Sequence, residues 1–166
     1  MFDVVKPGQT HNTFTPVFNN YYRDISSAHE TVCLTYKSQL SDGDYAILLK
    51  ESLIKDRISH HTSVGIHKDD IVFEMNEHPV KKIGSQGQQK SFLISLKLAQ
   101  FEFMRKLKSF KPILLLDDIF DKLDTQRVQQ LIQLVSEENF GQVFITDTQR
   151  ERVEQLFDAS DLDHKL

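Results

Sequence analysis

Two short segments of the chain contain side chains that could do chemistry on a phosphate. In the first, 84–91, Ser85 and Gln88 have the spacing of a capping box, which predicts the start of a helix. The N-terminus of a helix favours anions, and Gly87 would let a phosphate approach the backbone closely. Ser85 and Gln88 would then direct a hydroxyl and an amide at that phosphate. The alternative is that the segment is only a well-capped helix start.

The second segment is the apolar run 113–116, which is followed by Asp117 and Asp118. A run without polar alternation predicts a strand buried on both faces, as in a parallel sheet. Because successive strand side chains point to opposite sides, the two acids are expected to act separately. One would hold Mg²⁺ as an oxygen ligand, and the other would orient an attacking water. The alternative is an ordinary loop or helix cap after a strand.

The elements that must position these residues follow from hydrophobic periodicity. Helices are predicted over 14–25, from a cap at Asp42 or Asp44 to residue 58, from residue 85 onward, over 128–135 and over 150–157. Strands are predicted over 31–36 and 142–146, and a β-hairpin from 71–75 and 80–83. The helix after Ser85 is expected to bury one face, made of Phe92, Leu93, Leu96, Ala99, Phe103 and Leu107. Strand and helix alternate after residue 112, which predicts α/β architecture behind a more mixed lobe.

The composition is that of an ordinary globular protein, with 39% hydrophobic and 27% charged residues among 166. No apolar run approaches the roughly 20 residues that a membrane-spanning helix needs. Cys33 is the only cysteine, which excludes an internal disulfide and a cysteine-based zinc site and favours a reducing cytoplasm. The seven histidines lack the spacing of a metal site, so we expect them on surfaces and loops.

Basic residues are concentrated in one segment. Segment 80–111 has eight basic residues and one acidic residue, whereas 112–166 has twelve acidic and five basic residues. The basic segment could follow the phosphates of DNA, with Lys81, Lys82, Lys90 and Lys97 as candidates. A solvated helix face that is balanced by acids elsewhere in the fold would give the same pattern.

Taken together, these segments resemble the C-terminal half of the RecF family of SMC-like, ABC-type ATPases. The resemblance rests on 84–91, 95–100 and 114–124, with further matches at 18–25, 62–70 and 141–146, so it spans nearly the whole chain. The fold that it implies is the C-terminal portion of an ABC/SMC-like P-loop ATPase head. In such a head, a signature-bearing α+β lobe, 1–111, is joined to the Walker B part of the parallel sheet, 112–166.

The resemblance also implies roles for individual residues. It matches Asp118 to the catalytic carboxylate and Asp117 to the Walker B acid that binds Mg²⁺. Asp124 matches the D-loop aspartate, which reaches across a dimer. The ABC signature, which completes an ATP site on a partner subunit, is matched by Ser85, Gln86, Gly87 and Gln88.

For function, the resemblance implies an ATP-dependent DNA-binding protein of bacterial recombinational repair and replication restart. Such a protein acts with RecO and RecR to load recombinase at gaps or at junctions of single-stranded and double-stranded DNA. Its cofactors would be ATP and Mg²⁺, and it would hydrolyse ATP weakly. It would form an ATP-dependent homodimer and would lie in the bacterial cytoplasm, associated with the nucleoid.

Two departures from the family pattern affect these expectations. The phosphate-cradling G-x-x-x-x-G-K-[ST] loop is absent, since no glycine is followed by lysine. We therefore expect the chain to be a fragment of a longer protein, inactive and without bound ATP by itself. Asp118 is one methylene shorter than the usual glutamate, so turnover is expected to be slow.

Two other protein classes stay open. One is the head of another SMC-like ATPase, against which the lack of sustained heptads counts. The other is a non-catalytic module that binds DNA or protein.

Overall fold

A computed structural model describes residues 7–27, 30–41, 43–108, 110–118, 121–137, 140–147 and 154, and for 7–12 it describes the backbone only. In chain order these residues form α1 (Pro7–Ser26), β1 (Val32–Lys37), α2 (Tyr45–Ser59), β2 (Asp70–Met75), β3 (His78–Pro79), α3 (Val80–Ile83), α4 (Gln86–Lys108), β4 (Leu114–Asp117), α5 (Thr125–Val135) and β5 (Val143–Thr146). Short 3-10 turns lie at Gln39–Ser41 and Ile66–Lys68.

The strands form two separate sheets. β1, β2 and β3 make an antiparallel sheet in that order, whereas β4 and β5 pair in parallel with Asp117 opposite Thr146. Parallel neighbours need a crossover connection, which α5 provides. The predicted combination of a mixed lobe with a parallel α/β part is therefore confirmed.

Two clusters of buried side chains make up the core, and both α1 and α4 contribute to each. The first surrounds α5 and the parallel strands: Ile25, Ile94, Leu98, Phe101, Leu114, Leu116, Leu123, Val128, Leu131, Ile132, Leu134, Val135 and Phe140. The second lies against the antiparallel sheet: Phe18, Tyr22, Val32, Leu34, Met75, Val80, Phe92 and Ala99. The predicted division at residue 111 stays a prediction, and the first cluster draws side chains from both sides of it.

The burial of α4 differs from the single face that the sequence predicted. Phe92 and Ala99 are buried, but Leu93 and Leu107 are 48% and 63% exposed. The helix instead buries a second side that includes Ser91 and Ser95, both fully buried. Ser95 can be buried because its hydroxyl donates to the Ser91 carbonyl at 2.8 Å. The predicted stripe also left out Ile94, Leu98 and Phe101, which are buried in the first cluster, so the prediction was wrong about this side.

The predicted β-hairpin is only partly right. Asn76 and Glu77 form a tight turn with φ of 48° and 67°, and the returning strand lasts only from His78 to Pro79. Pro79 lacks the amide that would extend the ladder, and the chain turns directly into α3. The Gly84 amide closes α3 on the Val80 carbonyl at 2.9 Å, so 80–83 is helical rather than extended.

β4 was predicted to be buried on both faces, but in the structure only one of its faces is buried. Leu114 and Leu116 are buried, whereas Leu115 is 67% exposed and Ile113 and Phe144 are exposed beside it. Within the described chain nothing covers this second face, which is why an entirely apolar strand has alternating burial.

The remaining expectations have mixed outcomes. Asp44, not Asp42, caps α2, accepting hydrogen bonds from the amides of Ala46 and Ile47. The predicted helix over 150–157 lies outside the described residues except for Glu154, which is helical. Among the described residues, no helix is long and apolar enough to cross a membrane.

Candidate functional site

The start of α4 has the capping box that its sequence predicted. The Ser85 amide donates to Gln88 Oε1 at 2.8 Å, and the Gln88 amide donates to Ser85 Oγ at 3.2 Å. The amides of Gln86 and Gly87 are the other donors of this first turn, which favours an anion in front of it. Since the Ser85 hydroxyl accepts here, its proton is still available to a ligand.

The carboxyl end of β4 is fastened to the end of β5. The Thr146 hydroxyl donates to Asp117 Oδ1. The Asp118 amide donates to the Thr146 carbonyl at 3.1 Å and also approaches the Thr146 hydroxyl at 3.2 Å. Asp117 is exposed at this edge, so its second carboxylate oxygen can reach a ligand.

Asp118 leaves the strand with left-handed backbone geometry at φ 47°. Aspartate tolerates this region better than most residues because its short polar side chain can bond locally. β4 ends at Asp117, so alternation along a strand does not determine where Asp118 points. The sequence prediction used alternation for both acids and was wrong to extend it to Asp118.

The two predicted segments lie against each other. Lys90, near the start of α4, donates from Nζ to the Asp118 carbonyl at 2.9 Å. A Cβ atom added to Gly87 would lie 3.0 Å from the carbonyl oxygen of Lys122, in the turn that follows β4. Only glycine allows the helix start to approach this turn without displacing it.

Asp124 is the N-cap of α5. Its Oδ1 accepts from the Arg127 amide at 2.8 Å, and its Oδ2 lies 3.2 Å from Arg127 Nε. The Asp124 carboxylate is otherwise 62% exposed. It can therefore contact another molecule while it caps its own helix.

A largely buried ion pair joins this cap to the start of α4. Gln88 Nε2 donates to Glu30 Oε1 at 2.7 Å, and Arg127 Nη2 lies 3.7 Å from the same Glu30 oxygen. Arg127 Nη1 donates to Ser91 Oγ, on α4, at 2.9 Å. The side chains of Glu30 and Arg127 are only 10% and 16% exposed. We call these two residues the Glu30–Arg127 pair.

Tyr22 of α1 is buried near this pair. Burial raises the pKa of the Tyr22 phenol, and the negative charge of Glu30 raises it further. The phenol is therefore neutral and leaves the charge of Glu30 to be balanced by Arg127.

The carboxylate at the end of β4 fits Mg²⁺ bound mainly by phosphate and water. Among the described residues, no group of three or more His, Cys, Asp or Glu side chains could hold a metal ion alone. Mg²⁺ in nucleotide sites commonly takes one or two carboxylates and obtains its other ligands from phosphate and water. Asp117, with one oxygen fixed by Thr146, can serve as that carboxylate.

No family model matches the chain. It is 53% identical over 153 residues to the DNA replication and repair protein RecF of Flavobacterium johnsoniae and 50% identical to that of Parabacteroides distasonis. These alignments cover 92% of this chain and 43% and 42% of the two relatives. The chain belongs to the RecF family.

The chain spans less than half the length of the RecF relatives that it matches and corresponds to their C-terminal half. A solved structure of the recombination mediator protein RecF-ATP in the RecFOR pathway covers 84% of this chain, with a TM-score of 0.65 at 22% identity. An SMC head bound to the C-terminal winged-helix domain of ScpA covers 86%, with a TM-score of 0.55 at 15% identity. At these identities the two structures show the fold, which is that of an ABC/SMC-like head.

Among the residues predicted from the RecF resemblance, the structure brings the signature segment close to the turn that follows β4 and begins at Asp118. Its contacts join Gly87 to the turn at Lys122 and Lys90 to Asp118. Gln88 differs from the expectation of a free amide, since both ends of its side chain are bonded within the chain. The catalytic, metal-binding and cofactor-binding roles stay predictions.

The four lysines proposed to contact DNA have different surroundings. Lys81, Lys82 and Lys97 are exposed, whereas Lys90 is half-buried and bonded at the candidate site. Sequence reasoning missed the Glu30–Arg127 pair and Thr146. Arg127 follows Asp124 by three residues, a spacing that could have indicated an ion pair on a helix. No local signal marks Glu30, because its partners are distant in sequence.

Proposed function

We propose that the chain is the C-terminal part of the ATPase head of a longer RecF-type protein. That protein would bind ATP and Mg²⁺ between two subunits and act on DNA with RecO and RecR in recombinational repair, in the bacterial cytoplasm. The observation that carries the proposal is the packing of the capped start of α4 against the turn that follows Asp117 and Asp118. Family membership supports it independently.

The site offers separate groups for the separate parts of such a reaction. Asp117 would hold Mg²⁺, which when bound neutralises phosphate charge and orients the phosphates. Asp118 would accept a hydrogen bond from the attacking water. The Ser85 hydroxyl and the amides of Gln86 and Gly87 would receive the terminal phosphate of a nucleotide bound by the partner subunit.

The exposed apolar face of the parallel strands supports a longer protein. Ile113, Leu115 and Phe144 together expose an apolar patch beside Asp117. Contact between such a patch and water is unfavourable. In the proposed complete head, further strands and helices would cover this face. The phosphate-cradling loop would belong to that other part.

The first test uses the longer protein that contains this chain. Asp118→Asn should allow ATP-driven dimerisation but abolish ATP hydrolysis, because it keeps the shape and removes the charge that orients water. Asp121→Asn is the matched control, since it makes the same change at an exposed acid nearby. Wild-type turnover by Asp118→Asn would refute the assignment.

The second test concerns the signature. Ser85→Arg should abolish ATP-dependent dimerisation in size-exclusion chromatography, because it places bulk where the phosphate must lie. Ser85→Thr keeps a capping hydroxyl and should still dimerise. Dimer formation by Ser85→Arg would count against the signature role.

The third test uses the chain by itself. We expect no tight, Mg²⁺-dependent ATP binding in calorimetric titration, because the sequence contains no G-x-x-x-x-G-K-[ST] loop to cradle the inner phosphates.

The fourth test concerns DNA binding by the longer protein. The affinity of a Lys81→Gln/Lys82→Gln variant for DNA should depend less steeply on salt concentration than that of the wild type. An unchanged dependence would remove these two lysines from the DNA surface.

A further inference from the structure

The Glu30–Arg127 pair joins two parts of the proposed ATPase that contact the partner subunit. On one side, Glu30 accepts a hydrogen bond from the side-chain Nε2 of Gln88. The side-chain Oε1 of Gln88 in turn accepts a hydrogen bond from the backbone amide of Ser85. On the other side, Arg127 holds the Asp124 carboxylate. The signature loop and the D-loop aspartate are thus connected through two side chains.

Burial makes the pair interdependent. Glu30 Oε2 is buried and makes no hydrogen bond of good geometry among the described residues, and the neutral Tyr22 phenol beside Glu30 cannot balance its charge. A buried charge without a partner is strongly unfavourable. Arg127 supplies the positive charge, 3.7 Å from Glu30 Oε1. Arg127 has a second counter-charge in Asp124, so Glu30 depends on this pair more than Arg127 does.

The guanidinium of Arg127 is suited to this connection. Its three nitrogens reach three separate groups: Nε reaches Asp124, Nη1 reaches Ser91 and Nη2 faces Glu30. The donors of a guanidinium are fixed in one plane, so the three partners are held in a fixed relation. A lysine has a single nitrogen on a flexible stem and could not hold all three.

We propose that Glu30 and Arg127 are positioning residues that fix the signature loop relative to Asp124, so that the two surfaces engage a partner subunit together. This inference rests on the proposed function. The coupling between Ser85 and Asp124 is expected to be reciprocal. A partner that draws the Asp124 carboxylate away weakens the hold on Arg127, and a ligand at Ser85 acts on Asp124 through Gln88 and Glu30.

The experiment uses Arg127→Lys and Glu30→Gln in the longer protein. Both variants should bind ATP as monomers with wild-type affinity, because neither residue contacts the phosphates. Both should dimerise in ATP about tenfold more weakly than wild type, which is the size of effect expected from losing one charged hydrogen bond. Dimerisation is measured by analytical ultracentrifugation, and monomer affinity by titration with a fluorescent ATP analogue below the dimerisation concentration.

The matched control is Glu102→Gln, which breaks another partly buried ion pair on α4. Glu102 Oε2 lies 2.7 Å from Arg105 Nε, so this contact is shorter than the one between Glu30 and Arg127. Glu102→Gln should leave ATP-driven dimerisation unchanged. A purely structural role for Glu30 would weaken dimerisation only in proportion to lost stability, which thermal unfolding of all three variants measures.

The outcomes separate the two levels of the proposal. If the wild-type protein does not dimerise in ATP, the proposed function itself is wrong. If the wild type dimerises and Glu30→Gln and Arg127→Lys do so equally well, only the positioning role is wrong. Failure of both variants to fold, or an equal loss in Glu102→Gln, would also overturn the positioning role.

Discussion

Asp124 makes two contacts that substitution can separate. Its Oδ1 caps α5 by accepting from the Arg127 amide at 2.8 Å, and its Oδ2 pairs with Arg127 Nε at 3.2 Å. Asp124→Asn keeps an oxygen acceptor for the cap and removes the charge. Asp124→Ala removes both contacts. The pair of variants therefore measures the cap and the charge independently.

The expected magnitudes follow from exposure. Loss of an N-cap acceptor costs about 0.5–2 kcal/mol, and asparagine is as good a cap as aspartate. The ion pair contributes roughly 0–1 kcal/mol because the carboxylate is 62% exposed and screened by water. Asp124→Ala should therefore lower the free energy of unfolding by about 1–2 kcal/mol, and Asp124→Asn by about 0.5 kcal/mol.

The assay is urea unfolding of the chain, followed by far-ultraviolet circular dichroism. The midpoint should fall while the slope stays constant, because α5 remains folded in the native state. Asp121→Ala is the control, since Asp121 is exposed and is paired with Lys122 at 3.7 Å. A smaller loss in Asp124→Ala than in Asp121→Ala would refute the cap. Equal losses in Asp124→Asn and Asp124→Ala would show that charge, not the cap, stabilises α5.

Three further predictions concern the fold. The free energy of unfolding in urea should be about 1 kcal/mol lower for Asp118→Ala than for Asp118→Gly, because glycine adopts a φ of 47° without strain. Equal midpoints would contradict this prediction. Leu131→Ala should cost about 2.7–5 kcal/mol, since Leu131 is fully buried in the first cluster; a loss below about 1 kcal/mol would mean that this core is loosely packed. Hydrogen bonding from Arg105, and then from Lys106, lowers the pKa of Glu102 in the folded chain. Its stabilisation is therefore present above the unfolded pKa of about 4.3 and lost as pH falls through the lower folded value, so Glu102→Gln should flatten the acid limb of the stability curve.

Residues whose structure depends on near neighbours could be predicted from the sequence. Ser85 and Gln88 are three residues apart, and their reciprocal bonds need only a helix that begins between them. Asp44 caps α2 through amides two and three residues ahead. The parallel strands were also predictable, since an apolar run and a following helix are local patterns. In these cases the interacting groups lie within one helical turn or one element.

The turn after Met75 shows where local patterns stop being sufficient. Asn76 and Pro79 predicted a hairpin, but the number of residues in its second strand depended on where Val80 could be buried, and Val80 packs into the second cluster as part of α3. The exposure of Leu115 is similar. Its apolar side chain indicates burial, yet nothing in the described chain lies over it.

The sequence by itself determined the capped start of α4, the apolar strand that leads into Asp117 and Asp118, and the family to which the chain is similar. Only the tertiary structure decided that Gln88 is held by Glu30, 58 residues away, and that Arg127 reaches Ser91, 36 residues away. The reason is physical. Periodicity and capping depend on groups that the backbone geometry keeps within a few residues, whereas a buried charge is placed by the packing of α1, α4 and α5 together. The left-handed backbone of Asp118 is likewise visible only in the structure, where its amide donates to Thr146 on the neighbouring strand.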